Sequence, residues 1–458
     1  MSTQPTLACF KAYDIRGRIG EDIDEDIVFR LGQAAVAVTG ARHVVVGGDA
    51  RETSPAFKAA LTRGLTSAGA DVDDIGLCGT EEIYFATDHL GADLGIMVTA
   101  SHNPIDFNGM KLVGPGATPL DDATFRAIEA ATARGEGGDS TGPAGAARTT
   151  DTRPAYIARM TAFADPAALG PVHIVANAGN GAAGPTFDAL LEALQAAGAQ
   201  LTVTTVHHTP DASFPKGIPN PLLPENHAAT ANVVRAQSAD LGIAWDGDFD
   251  RCFFFDERGE FVAGEYVVGL LAQATLSRDA GGKIIHDPRV QWNTRSLVAD
   301  AGGEAVVSRT GHALIKAQMR AVDGAYGGEM SAHHYFRDFM YCDSGMIPWL
   351  LVVSWMGQTG QPLSALVEAM RTRFPSSGEI NFRVGDAAAL MDAIEAEHRA
   401  AAEDIDHLDG LSMSFGDWRF NLRRSNTEPL LRLNIETRGD TALLAEKVAA
   451  FRARIKAA

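Results

Sequence analysis

Cysteine is scarce in this chain: four in 458 residues, at positions 9, 78, 252 and 342, far apart and with no C-x-x-C pair. That pattern argues against a disulfide framework and fits reduced thiols with packing roles. Long apolar runs are missing as well, since no stretch reaches membrane-spanning length. The opening Met1-Ser2-Thr3-Gln4-Pro5 has neither a basic region nor an apolar core, so a cytoplasmic protein without a membrane partner is expected. Basic charge is also short, with 39 Lys and Arg against 58 Asp and Glu and a net charge of −19. The basic residues are scattered singly, which excludes nucleic acid as a partner, because an acidic chain repels a phosphate backbone unless it concentrates positive charge. Any phosphate-bearing ligand must be met by a local positive pocket. What is abundant is apolar residues, 46% of the chain, enough for three or four cored domains.

Two stretches carry chemistry. The first is Val98-Thr99-Ala100-Ser101-His102-Asn103-Pro104, after the apolar run Leu94–Met97. It reads as a strand that stops at a loop ahead of a helix, with Ser101 at the tip, where α/β sheets place reactive groups. A serine hydroxyl is a weak nucleophile that needs a base, a metal or prior phosphorylation. On local grounds a helix-capping serine fits the same residues. The second stretch, Trp245-Asp246-Gly247-Asp248-Phe249-Asp250-Arg251, follows the strand-like Leu241–Ala244 and alternates three carboxylates. Asp246, Asp248 and Asp250 turned to one side form an oxygen-only ligand set suited to Mg²⁺. An acidic surface turn is the other reading, costly in like-charge repulsion without a cation.

Along the chain, the periodicity predicts helices over 25–39 and 54–68 and strands over 43–46 and 72–76, an α/β alternation that continues to Ser101. Asp49-Ala50-Arg51 follows a strand end, either as a solvated turn or with Arg51 reaching the same crevice. The glycine-rich Gly135–Gly145 reads as an exposed linker. Asn177-Ala178-Gly179-Asn180-Gly181 leads into a helix and reads as a tight turn or, less simply, an anion cradle. A third alternating unit contains Gly311-His312, Gly328–His333 and an apolar helix at 347–356. From about Phe374 the strands are grouped between helices, an α+β pattern. The expected domains are 1–147, 148–256, 257–373 and 374–458.

Taken in order, Lys11–Gly17 (KAYDIRG), Thr99–Pro104 (TASHNP), Asn108–Lys111 (NGMK), Asp246–Arg251 (DGDFDR), Gly328–His333 (GEMSAH) and Arg423–Pro429 (RRSNTEP) resemble the α-D-phosphohexomutases, and most closely their bacterial phosphomannomutase branch. The resemblance implies three similar α/β domains and a smaller C-terminal α+β domain around a central cleft. It implies a Ser101 that carries phosphate, with Ser101, Asp246, Asp248 and Asp250 as metal ligands and Arg251 on the phosphoserine. Lys111 or His312 would move the proton. Tyr13 and Arg16 would border the cleft, and Glu329, Ser331 and His333 would bind the sugar. Arg289 stands where many relatives carry lysine. Arg423, Ser425, Asn426 and Thr427 would hold a phosphate that is not transferred. The implied reaction interconverts hexose 6- and 1-phosphates, mannose first and glucose in the same site, through a hexose 1,6-bisphosphate. The expected state is a monomer or weak homodimer. A phosphoglucosamine mutase, a dedicated phosphoglucomutase, a metal-dependent sugar-phosphate phosphatase and a non-catalytic sensor are the rival readings.

Overall fold

A computed structural model describes residues 6–137, 142–424 and 430–456. The chain packs as two compact units: one runs to Phe261 and takes in Asp338–Gln358, and the other holds Val262–Arg337 and the chain from Thr359 onward. No helix among the described residues is long and apolar enough to cross a membrane.

The first unit contains two sheets. In one, strands lie in the order Ile15–Arg18, Phe107–Val113, Leu94–Val98, His43–Gly48, Asp71–Leu77 and Ala147–Thr149. His43–Gly48 is parallel to both neighbours, while Phe107–Val113 is antiparallel to both of its own. The strand Ala147–Thr149 spans the position where the linker suggested a boundary. The amphipathic helix Glu25–Thr39 forms where its apolar period predicts. The Asp24 side chain caps its first turn, accepting from Ile27 N at 2.8 Å, and Gly40 ends it at φ 70°. The other sheet runs Cys252–Phe255, Leu241–Trp245, Val172–Asn177, Leu201–Val206.

One expectation fails here. Ser101 is followed by no helix: the chain turns through a loop and returns as the antiparallel strand Phe107–Val113. The capping reading of Ser101 therefore falls, and Ser101 itself sits in left-handed backbone at φ 50°. Asn103-Pro104 starts a hairpin return instead of a helix.

The second unit also holds two sheets. Glu304–Val307, Lys283–His286 and Gly324–Gly328 are parallel neighbours, and His334–Phe336 returns antiparallel to Gly324–Gly328. The last sheet is antiparallel throughout, in the order Ile380–Arg383, Leu430–Thr437, Trp418–Arg424, Leu411–Ser414 and Asp404–Asp406. Phe420, Leu422, Leu431, Leu433 and Ile435 alternate onto one face and pack under the helices Ala387–His398 and Thr441–Lys456. The intervening residues make the opposite face polar, as period-two patterning requires.

The three α/β sheets share one plan. A first strand lies between a second and a third, both parallel to it, and a fourth returns as a hairpin from the third. Chain periodicity does not show this likeness, which is a matter of strand order.

The apolar helix Ile347–Thr359 falls within the third expected domain by number, yet it packs with the first unit. Glu81 explains the placement. Its buried carboxyl group meets Ser344 Oγ at 2.9 Å, Met346 N at 3.2 Å, Gly345 N and the Tyr156 hydroxyl, closing the helix N-terminus. Burial pushes this carboxyl up to about 8, against the lowering effect of its donors. The folded state therefore keeps a proton that an unfolded chain, titrating near about 4.3, has already lost. The stabilisation is whole below that pH and drains away as pH rises to about 8. Glu81→Gln, neutral throughout, should escape that loss. Melts at pH 5 and pH 8 should show the variant gaining on the parent by a few kcal/mol (order of magnitude, from ~1.4 kcal/mol per pKa unit). A constant difference between the two proteins would mean that Glu81 is ionised in the fold.

Candidate active site

Ser101 is positioned by the loop that follows the first strand of its own sheet. Asp49 Oδ2 accepts from Thr99 Oγ1 at 2.7 Å, and its Oδ1 accepts from Arg51 N at 3.0 Å and Ser54 Oγ at 2.6 Å. Thr99 Oγ1 in turn accepts from Ser101 N at 2.8 Å. The Arg51 guanidinium is buried and donates to the carbonyls of Ser101, Asn103, Pro104 and Phe107 at 2.5 to 3.0 Å. The solvated-turn reading of Arg51 falls: the side chain reaches the Ser101 loop, where it spends its donors on loop carbonyls. Arg16 adds donors to Ala100 O at 2.7 Å and Asn103 Oδ1 at 2.6 Å, and pairs with Asp14 at 3.2 Å. Tyr13 is 40% exposed.

The Asp246–Arg251 loop meets Ser101 directly. Ser101 Oγ donates to Asp246 Oδ2 at 2.7 Å, and Arg251 Nη2 lies 3.2 Å from the same hydroxyl and 2.6 Å from that carboxylate. Gly247 permits this approach, because a Cβ there would stand 2.7 Å from the Ser101 carbonyl oxygen. Arg251 also meets His102 Nδ1, and this cation, with burial second, holds His102 well below the usual histidine range. Lys111 Nζ lies 2.8 Å from Asp248 Oδ2 and bonds Asp250 as well. Burial opposes its charge, but the two carboxylates override that and hold the ammonium well above the ordinary lysine range.

Asp246, Asp248 and Asp250 are all buried, and one oxygen from each lies within 4.8 Å of the others. The acidic surface turn is thereby excluded. Burial, with Asp250 and Asp248 beside it, pushes Asp246 up, whereas Lys111 overrides burial to keep Asp248 ionised. Asp246 Oδ1 and Asp248 Oδ1 are buried without a hydrogen-bond partner. Orphaned carboxylate oxygens in an oxygen-only cluster fit a hard divalent cation.

In the second unit, Arg289, Glu329 and Ser331 come together. Arg289 Nη2 lies 2.7 Å from Asp287 Oδ2 and 3.4 Å from Ser331 Oγ, and Ser331 Oγ donates to Glu329 Oε2 at 2.9 Å. Glu329 Oε1 accepts from Gly311 N at 2.9 Å, which sets His312 at the start of the helix His312–Val322. His333 is half-buried on the same Gly328–His333 turn, its ring stacked with Tyr335 at 6.2 Å. Arg423 is buried at the end of its strand, 3.3 Å from Glu379 Oε2. Ser425, Asn426 and Thr427 lie outside the described residues.

Sequence reasoning missed Thr80, Glu81, Asp287, Glu379 and Arg432. Thr80 Oγ1 donates to Asp248 Oδ2 at 2.6 Å, and its amide donates to Asp248 O at 3.0 Å. Only the spacing of Asp287-Pro288-Arg289, matching Asp49-Ala50-Arg51, was available as a signal. The Asn177–Gly181 loop is the tight turn: Ala182 N, at the entrance to its helix, donates to Gly247 O at 3.1 Å and leaves no anion cradle there.

The chain matches the phosphoglucomutase/phosphomannomutase family domain by domain: alpha/beta/alpha domain I over residues 8–138, domain II over 154–259, domain III over 263–374 and the C-terminal domain over 379–454. A phosphomannomutase of Salmonella montevideo is 55% identical over 440 residues, 96% of either chain. A protein of Xanthomonas campestris pv. campestris named for phosphohexose mutases is 52% identical over 96% of this chain and 97% of its own. A solved phosphoglucomutase/phosphomannomutase family protein from Burkholderia thailandensis superposes with a TM-score of 0.86 at 31% identity, covering 99% of this chain and 98% of that one. With its four domains matched and its loops built as described, the chain belongs to the phosphoglucomutase/phosphomannomutase family, within the α-D-phosphohexomutases.

Proposed function

We propose that this protein is a phosphomannomutase that interconverts mannose 6-phosphate and mannose 1-phosphate and turns over glucose phosphates in the same site. The observation that carries the reading is the Ser101 hydroxyl, 2.7 Å from Asp246 and 3.2 Å from Arg251 beside three buried aspartates. The relatives' names, phosphomannomutase among them, support the same substrate class. The division into 1–147, 148–256, 257–373 and 374–458 belongs to this reading.

In the forward direction phosphate rests on Ser101 Oγ. O1 of mannose 6-phosphate attacks phosphorus, the Oγ–P bond breaks, and the O1 proton passes to His312, because Lys111 is already an ammonium between Asp248 and Asp250 and cannot accept it. The product is mannose 1,6-bisphosphate. After it turns end for end, Ser101 Oγ takes the 6-phosphoryl group, O6 recovers the proton, and mannose 1-phosphate leaves. Arg251 steadies the phosphoserine oxygens against the like charge of the incoming substrate. Asp246, Asp248 and Asp250, with an oxygen on Ser101, would hold Mg²⁺, which supplies positive charge to the phosphoryl oxygens when bound. Tyr13 and Arg16 border the cleft, and Arg289, Glu329, Ser331 and His333 take the sugar. Arg423, with Ser425, Asn426 and Thr427, grips the phosphate that stays.

Ser101→Ala should lose nearly all mutase turnover while melting as the parent does, since it deletes no apolar burial. Intact mass before and after phosphatase treatment should show one phosphate on the parent and none on the variant; an unphosphorylated parent with full activity sinks the mechanism. Asp248→Asn should weaken Mg²⁺ binding in a direct titration and lower the rate, partly restored by excess metal. Full activity in chelator would refute the metal assignment. Arg423→Ala should cost about 1.5–3 kcal/mol of a charge-assisted contact, or roughly tenfold to hundredfold in kcat/KM. Mannose and glucose phosphates should suffer alike, with more free bisphosphate escaping. Loss toward one sugar alone would place Arg423 on the sugar and not the phosphate.

A further inference from the structure

One carboxylate in the second unit serves three guanidinium groups. Arg423 and Arg432 stand directly opposite each other in the ladder of Trp418–Arg424 with Leu430–Thr437. Their side chains therefore share a face, an arrangement in which like charges repel. Arg289 comes from the loop after Lys283–His286. Glu379, just ahead of the strand Ile380–Arg383, bridges them. Its Oε2 is 3.3 Å from Arg423 Nη2 and 3.6 Å from Arg289 Nη1, and its Oε1 is 3.5 Å from Arg432 Nη1.

This is the donor array that an anion with several oxygens takes, because planar guanidinium forks match carboxylate and phosphate alike. Two details separate Glu379 from an ordinary ion-pair partner. The Arg289 and Arg423 side chains are 4% and 8% exposed, whereas those of Glu379 and Arg432 are 22% and 23% exposed, so the anion can swing toward water while two of its three cations stay buried. Moreover, Arg289 Nε and Arg423 Nε are buried with no hydrogen-bond partner, so the carboxylate leaves donors over.

We propose that Glu379 is a resident counter-ion that occupies the place of the held phosphate between turnovers and is displaced by the arriving sugar phosphate. The inference rests on the phosphate-holding role given to Arg423. Arg289 has Asp287 beside it at 2.7 Å, but without Glu379 the facing Arg423 and Arg432 would repel each other in the empty site, and the cluster would grip a bisphosphate too firmly for it to leave and turn. Glu379 answers both needs: it neutralises the empty cluster and competes for it during release. It is a positioning and competing group, not one that touches the reacting atoms.

The test is calorimetric titration of inorganic phosphate into the full chain, together with steady-state kinetics on mannose 6-phosphate. Glu379→Gln should bind inorganic phosphate roughly tenfold tighter, the size of one removed charge-assisted contact. It should also show a lower KM with a lower kcat, and a melting temperature that falls without phosphate and recovers with it. A purely structural Glu379 would lose stability without any gain in phosphate affinity, and affinity at or below the parent's overturns the inference. If Glu379→Gln does not fold, Glu379→Asp, one methylene too short to span the three arginines, should show a smaller gain in the same direction. No gain there also overturns it. Arg423→Ala keeps the two failures apart. If it weakens phosphate binding while the Glu379 variants change nothing, only the counter-ion role is lost. If it binds phosphate as the parent does, the phosphate-holding reading falls and this inference falls with it.

Discussion

Three aspartates buried within 4.8 Å of one another set the terms for the first unit. Water is not there to screen them, so cations and donors must come from elsewhere in the chain. Lys111, on the strand returning from the Ser101 hairpin, pairs with both Asp248 and Asp250. Arg251 neutralises Asp246 and lies on Ser101 as well. Thr80 ties Asp248 to the start of the helix Thr80–His89, whose next residue, Glu81, closes the N-terminus of Ile347–Thr359. Charge pairing thus orders three segments distant in sequence around one serine. The same pairing explains why Ser101 is buried and still bonded to a carboxylate and a guanidinium.

The repeated sheet plan explains where the loops fall. In each α/β sheet the hairpin between third and fourth strands holds candidate site residues: Ser101 in the first, Asp246–Asp250 in the second, Glu329–His333 in the third. The loop after the first strand supports that hairpin every time. Asp49 and Arg51 hold the Ser101 backbone, Ala182 N holds Gly247 O, and Asp287 accepts from Met330 N at 2.9 Å. Asp49-x-Arg51 and Asp287-x-Arg289 even share a turn in which the aspartate accepts from the arginine amide. Parallel neighbours bring those two loops to the same end of the sheet, the end where α/β folds place ligands. Arg289 thus shares the turn of Arg51, but its guanidinium meets the side chains of Asp287 and Ser331 where that of Arg51 meets loop carbonyls.

In the last sheet the polar face does comparable work. Opposed pairs Arg419 with Glu436, Asn421 with Asn434 and Arg423 with Arg432 line it in register. Glu436 accepts from Gln291 N and Trp292 N at 2.8 and 3.0 Å, which caps the helix Trp292–Asp300, while Arg419 pairs with it at 2.6 Å. The third α/β sheet and the last sheet are joined by that buried ion pair. At the far end of the ladder the pairing runs out into two facing arginines, and a charge imbalance remains for an anion to meet.

The sequence by itself determined the element pattern, because apolar periodicity is local: the helix at 25–39, the strand at 94–98 and the closing helix at 441–456 stand where their residues predict. It also singled out Ser101 and Asp246–Asp250 as candidates, but by local pattern alone a capping serine and an acidic surface turn fitted the same residues, and the hairpin after Ser101 and the burial of the aspartates decided against them. Tertiary structure alone decided the partners. A hairpin replaced the helix after Ser101 because Phe107–Val113 found an antiparallel neighbour on either side, which no local propensity encodes. Arg51, Thr80, Glu81 and Glu379 looked like ordinary polar residues because a side chain's burial and partner depend on segments far along the chain. Strand order, not spacing, brought the three loops into equivalent places, and buried charge, which must find its counter-charge wherever the fold supplies it, decided the rest.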